Sequence, residues 1–106
     1  MLKEINVIEL HNKIKNNDDF ILLDVRNDQE VIISKIQESI HIPMNEIPKR
    51  LNELDKDKEI IVQCKSGKRS AKVCEFLMHN NFKDVKNLEG GILAWSREID
   101  PSVIVL

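Results

Sequence analysis

Two periods govern where apolar residues fall along this chain. Phe20, Ile21, Leu22, Leu23 and Val25 form one short apolar run, and Ile60, Ile61 and Val62 form a second. Runs of this length, rich in branched residues and lacking a polar face, predict strands covered on both sides. Elsewhere the period lengthens to that of a helix. Ala71, Cys74, Leu77 and Met78 fall at i, i+3, i+6 and i+7 and predict a helix over 69–79. Ile8 and Ile14 share a helical spacing that predicts a helix over 8–16, with His11 on its solvent side. Weaker strands are expected at 4–7, 39–42 and 84–88. Asn27 or Asp28 caps a short helix reaching Ile33, and a helix over 46–54 tolerates Pro48 in its first turn. Gly90-Gly91 turns the chain into a last helix, 92–99, with Trp95 as a core anchor. Asn80-Asn81 closes the helix before it, where Asn suits the left-handed C-cap conformation.

Strands alternating with helices across short connections predict an α/β fold. The expected form is a three-layer sandwich around a mainly parallel five-stranded sheet. A length of 106 residues bounds this to one domain, 1–106. With 42% hydrophobic and 32% charged residues the chain reads as globular, not disordered. The start MLKEINVIEL is too charged for a signal peptide, no apolar run is long enough for a membrane span, and two cysteines fit a reducing compartment. These features place the protein in the cytoplasm and away from membranes. A net charge of -2, with no aromatic platform near the basic residues, gives no support for nucleic-acid binding.

Candidate chemistry concentrates at 59–77, EIIVQCKSGKRSAKVCEFL, which reads as strand, loop and helix with Cys64 at the turning point. A loop that leaves a strand and feeds a helix points backbone N–H groups into one concavity, and the helix adds positive potential at its start. Lys65, Lys68, Arg69 and Lys72 add cations within eight positions. A thiol in such a cradle is expected to fall from about 8.5 into the ~3.5–7.5 range. Cys64 is therefore the candidate nucleophile, and Lys65, Ser66, Gly67, Lys68 and Arg69 the candidate cradle. The plain alternative is a buried strand-end cysteine beside lysines that solvate a turn. Asp24 and Arg26 end a central strand on the edge where open α/β sheets place their sites, as catalytic groups or as a brace. Cys74 lies mid-helix on the apolar face and reads as core. The scattered cysteines and histidines show no metal-ligand spacing.

These stretches resemble the rhodanese-homology domain family. CKSGKRS at 64–70 is similar to its active-site loop. LLDVR at 22–26 with Glu30, SIHIPMNEI at 39–47 and LEGGILAW at 88–95 are similar to its other motifs, in the same order. The resemblance implies a sulfurtransferase in which Cys64 carries a sulfane sulfur as a persulfide, with no cofactor and no metal. It implies a small anionic donor such as thiosulfate, or a protein persulfide, and an acceptor such as cyanide, a thiol or a sulfur-carrier protein. It favours the bracing role for Asp24 and Arg26. The tail LEGGILAWSREIDPSVIVL is similar to rhodanese domains fused behind adenylating enzymes that prepare sulfur carriers for thiamine or molybdopterin synthesis. At 34–39 the chain departs from the family: Ser34-Lys35-Ile36-Gln37-Glu38-Ser39 stands where many members have Gly-His-Ile-x-Gly-Ala. Loss of a Gly at Glu38 is expected to strain or reshape this rim. Two other functions compete. Dual-specificity phosphatases resemble this fold, but their loop places Arg six positions after Cys; here Arg69 is five after Cys64 and position six is Ser70. A non-catalytic binding module is the third reading.

Overall fold

The structure, a computed structural model, describes residues 2–106. Five strands, Lys3–Ile5 (β1), Phe20–Asp24 (β2), Ile40–His41 (β3), Glu59–Gln63 (β4) and Asp84–Leu88 (β5), form one sheet in the order β1-β5-β4-β2-β3. Every pairing is parallel, so the sheet goes beyond the mainly parallel one expected. Four α-helices, Val7–Lys15 (α1), Asp28–Ile33 (α2), Lys68–His79 (α3) and Gly91–Glu98 (α4), connect or follow the strands. β4 lies at the centre, with Asp24 of β2 opposite Gln63 on one side and Asn87 of β5 opposite Val62 on the other.

The alternation of side chains along a strand divides the core into two layers. Leu23, Ile60, Val62 and Val85 pack against Val73, Cys74 and Leu77 of α3 on one face. Leu22, Ile61 and Leu88 pack against Val7 and Leu10 of α1 and Ile92, Ala94 and Trp95 of α4 on the other. This is the three-layer α/β sandwich that the alternation of periods predicts. No helix among the described residues is long and apolar enough to cross a membrane.

Local chemistry moved several boundaries. The first strand is 3–5 and the helix begins at Val7, because Asn6 caps it. Asn6 Oδ1 accepts from the Glu9 N–H at 2.8 Å, and Glu9 Oε1 accepts from the Asn6 N–H at 3.1 Å, a reciprocal capping box. His11 is half-buried, not solvent-facing: α1 packs on α4, and the His11 ring meets Trp95 edge-on at 5.9 Å. The helix expected at 46–54 is instead two 3-10 segments, Met44–Lys49 and Leu51–Glu53. Pro48 lies inside the first and has no N–H to donate, which opposes a continuous α-helical ladder there. The third strand shortens to two residues. Glu38 sits in a turn without strain, since Asn17 and Asn81 are the only non-glycine residues at positive φ among those described. Asn81, at φ 68, takes the left-handed conformation just after α3.

Candidate functional site

β4 delivers Cys64 to the carboxyl edge of the sheet, and the chain then turns within three residues into α3. Gly67 makes the turn at φ 108, a left-handed conformation that side-chain-bearing residues rarely adopt. The first N–H groups of a helix have no partner within it, and here they face sulfur. Cys64 Sγ lies 3.1 Å from the Gly67 nitrogen, 3.4 Å from the Ser70 nitrogen and 3.3 Å from Ser70 Oγ. Cys64 is buried, 1% exposed. Burial pushes its thiol up, but the Ser70 hydroxyl and the N–H groups of Ser70, Gly67 and Ser66 together outweigh it and bring the thiol below its ordinary value. These effects rank ahead of any charge from Lys65 or Lys68. Hydrogen bonding, more than the cationic field, offsets burial and lowers this thiol.

The cations of the loop take separate positions. Lys65 is half-buried and Lys68 is exposed at the rim. Arg69 turns to α2, where its Nη1 and Nη2 donate to Glu30 Oε1 and Oε2 at 2.7 and 2.9 Å. Glu30 also belongs to the box that caps α2, accepting from the Asn27 N–H at 3.0 Å. The Arg69 hydrogen bonds lead in holding the Glu30 carboxyl down at about 2, against the upward push of burial. Arg69 thus joins α3 to α2, and its bond to Glu30 leads in raising the guanidinium, with the charge of Cys64 a lesser cause.

Asp24 and Arg26 form a buried ion pair, 0% and 2% exposed. Arg26 Nη2 donates to Asp24 Oδ2 at 2.8 Å and to the Ser34 carbonyl at 2.8 Å. His41 Nε2 donates to the Arg26 carbonyl at 2.6 Å. Neither Asp24 nor Arg26 hydrogen-bonds Cys64; they tie the end of β2 to the 34–39 segment and to β3. A buried pair of this kind holds geometry well and adds little net stability. Cys74 sits 0% exposed in the α3 core, and burial pushes its thiol up to about 12, with the charge of Cys64 a further cause. Among the described residues no three His, Cys, Asp or Glu side chains cluster as metal ligands.

Three contributors escaped the sequence reading. Asn87 of β5 places Oδ1 2.5 Å from Ser70 Oγ and donates from Nδ2 to the Gly67 carbonyl at 3.0 Å. Ser70 was visible only as the residue beyond Arg69. α4 backs the loop: the Ile92 and Leu93 N–H groups donate to the Cys64 and Lys65 carbonyls at 2.9 and 3.1 Å. That approach requires Gly91, since a Cβ there would lie 2.6 Å from the Cys64 carbonyl oxygen and closer still to that of Lys65. The signal for Gly91 was present in Gly90-Gly91, which reads as a turn without revealing what the turn must approach.

The arrangement is that of a cysteine sulfur ringed by N–H donors. Residues 6–98 match the pattern of the rhodanese-like domain family. A candidate sulfurtransferase of Bacillus subtilis, YtwF, is 44% identical over 100 residues, covering 94% of this chain and 96% of its own. A sulfurtransferase of Allochromatium vinosum is 36% identical over 103 residues, covering 97% and 96%. The crystal structure of a rhodanese-like domain protein from Staphylococcus aureus superposes with a TM-score of 0.86 at 36% identity, over 99% of both chains. Fold and sequence agree, and the chain belongs to the rhodanese-like domain family.

Proposed function

We propose that the protein is a sulfurtransferase in which Cys64 carries a sulfane sulfur as a persulfide. The single observation behind this reading is the set of N–H groups from Gly67 and Ser70, with the Ser70 hydroxyl, focused on Cys64 Sγ. The Cys64 thiolate attacks the outer sulfur of thiosulfate, or of a protein persulfide. The donor's S–S bond breaks, and sulfite (or the donor thiolate) leaves with the bonding electron pair. The terminal sulfur of the new persulfide then carries the negative charge, which the loop N–H groups are placed to meet. Cyanide, a small thiol or a cysteine thiol of a sulfur-carrier protein next attacks that sulfur, the second S–S bond breaks, and the Cys64 thiolate returns. The cycle needs no cofactor, because each step exchanges one S–S or C–S bond for another. Lys65 and Lys68 at the rim draw in an anionic donor, and the Asp24–Arg26 pair braces the edge on which the loop stands. A thiol that must return to its reduced form suits the cytoplasm.

Two features weigh against phosphate chemistry on the same cradle. The ring of donors closes directly on Sγ, with Gly67 N only 3.1 Å away. The Arg69 guanidinium, which a phosphatase would turn on its substrate, is held by both oxygens of Glu30. Incubation with thiosulfate is expected to add the mass of one sulfur atom to Cys64. The Cys64→Ser protein should neither gain this mass nor transfer sulfur to cyanide, while Cys74→Ser keeps most of the activity. Turnover by Cys64→Ser, or hydrolysis of p-nitrophenyl phosphate by the wild type, would overturn the reading.

A further inference from the structure

One hydroxyl proton serves two acceptors behind the thiol. Ser70 Oγ lies 3.3 Å from Cys64 Sγ and 2.5 Å from Asn87 Oδ1, and all three residues are buried. The Asn87 amide has no freedom to reverse. Its Nδ2 faces the Gly67 carbonyl at 3.0 Å and the Glu4 carboxylate at 3.5 Å, groups that accept and do not donate. Oδ1 is therefore the atom turned to Ser70, and an amide oxygen also only accepts. When Cys64 is a thiol every group is satisfied: the S–H donates to Ser70 Oγ, and the Ser70 O–H donates to Asn87 Oδ1. Once Cys64 is a thiolate, its S–H is gone and one proton faces two acceptors.

We propose that Asn87 is a positioning residue for Cys64 that acts through the Ser70 hydroxyl, competing with the thiolate for the single Ser70 proton. Its oxygen sets how much of the sulfur's charge that hydroxyl meets and how much falls to the backbone N–H groups. The inference deepens the sulfurtransferase reading and rests on Cys64 being the working thiol. When Sγ bears a second sulfur it is divalent and uncharged, and the Ser70 proton returns to Asn87. The relay is then fully satisfied in the thiol and in the loaded state, and contested only in the free thiolate. A buried acceptor left without a donor is costly, so this contest penalises the thiolate and favours its sulfur-loaded form.

Other groups face the same sulfur and must be held constant in any test. Arg69 and Cys74 of α3 interact with its charge. Glu30 of α2 is paired with Arg69, and Glu4 of β1 lies behind Asn87. From α4, backbone N–H groups approach the loop carbonyls.

The test reads the rate of Cys64 alkylation by iodoacetamide against pH, in protein carrying Cys74→Ser. It involves no sulfur donor, so it succeeds or fails apart from the sulfurtransferase reading. Asn87→Leu removes the competing oxygen at similar size and leaves the Ser70 proton to the thiolate. Its midpoint should fall by about one pH unit, the scale of one charge-assisted hydrogen bond. Ser70→Ala should raise the midpoint, and the double variant should match Ser70→Ala alone. An Asn87→Leu shift that persists without the Ser70 hydroxyl, or that is absent or upward, overturns the proposal. A second measurement needs no Asn87 variant to fold. The Asn87 side-chain amide resonances should follow the Cys64 titration in the wild type and lose that response in Ser70→Ala. An equal response in both, or none in either, overturns it equally.

Discussion

Cys64 and Cys74 are the same residue type, both buried among the same apolar side chains, with opposite chemistry. Burial acts on both in the same direction, raising the thiol. What separates them is donors. Cys64 stands where a helix begins and its N–H groups are unspent; Cys74 stands mid-helix, where those groups are committed to the ladder. This redirects the role of the lysines. Lys65 and Lys68 do not lead in setting the thiol, so the part proposed for them is to draw anions toward the rim, at about 1 kcal/mol each in a screened site. Replacing both by Ala should raise the KM for thiosulfate several-fold and leave the pH profile of Cys64 alkylation in place. A profile displaced to higher pH would restore the lysines as activators. Cys64 and its loop were legible in the sequence because strand end, glycine and cations are consecutive there. Ser70 and Asn87 meet across 17 positions, and nothing in the local composition of β5 marks Asn87 as a partner.

Between elements, two joints hold the loop in place. The first is the Arg69–Glu30 pair, which ties the start of α3 to the start of α2. Glu30 is held at about 2 when folded, against 4.5 ordinarily. Its folded value is the lower one, so its contribution is fully present above about pH 4.5 and is lost as pH falls through about 2. The pair is partly exposed, so the gain is that of a screened bridge. Glu30→Gln should lower the urea midpoint at neutral pH, and its difference from wild type should shrink as the pH approaches 2. A constant difference across that range would show that the loss is one of packing. The second joint is α4, whose first turn lies against the loop carbonyls. Gly91→Ala adds a Cβ into them at φ 58 and should cost about 1–3 kcal/mol or more, with a loss of sulfur transfer beyond what unfolding explains. Full activity at wild-type stability would mean that α4 is not the loop's support. α1 and α3 were legible from their 3.6 period, α2 from its cap and α4 from the Gly90-Gly91 turn before it. The 44–53 segment was not, because Pro48 leaves the apolar spacing intact while removing a donor from the ladder. The start of α1 was misread because Asn6 fits a strand by position, while its bond to Glu9 makes it a cap.

Across the whole molecule the sheet is a shared wall. Ile60 and Val62 of β4 face the α3 layer, while Ile61 between them faces the α1/α4 layer, so neither core can lose its strand without exposing the other. The site inherits this dependence. Cys64 ends β4, its donors come from α3, and its backing comes from α4 on the opposite face. Alternating periods made this architecture readable, because a parallel sheet with right-handed crossovers must place helices on both faces. They could not show that both layers converge on one loop, which depends on the strand order that puts β5 beside β4. Such coupling predicts one cooperative transition, and the chain carries a reporter in each layer. Trp95, the only tryptophan, lies in the α1/α4 core, and Cys74 lies fully buried in the α3 core. In Cys64→Ser protein titrated with urea, Trp95 fluorescence and pulse labelling of Cys74 by a thiol reagent should give one midpoint. They should also give one slope, of about 1–3 kcal/mol per molar. Labelling of Cys74 at urea concentrations where Trp95 is still native would show that the α3 layer opens alone. The thiolate cradle would then open and close independently of the sheet that carries it, and the sharing of β4 would not be what couples the two faces.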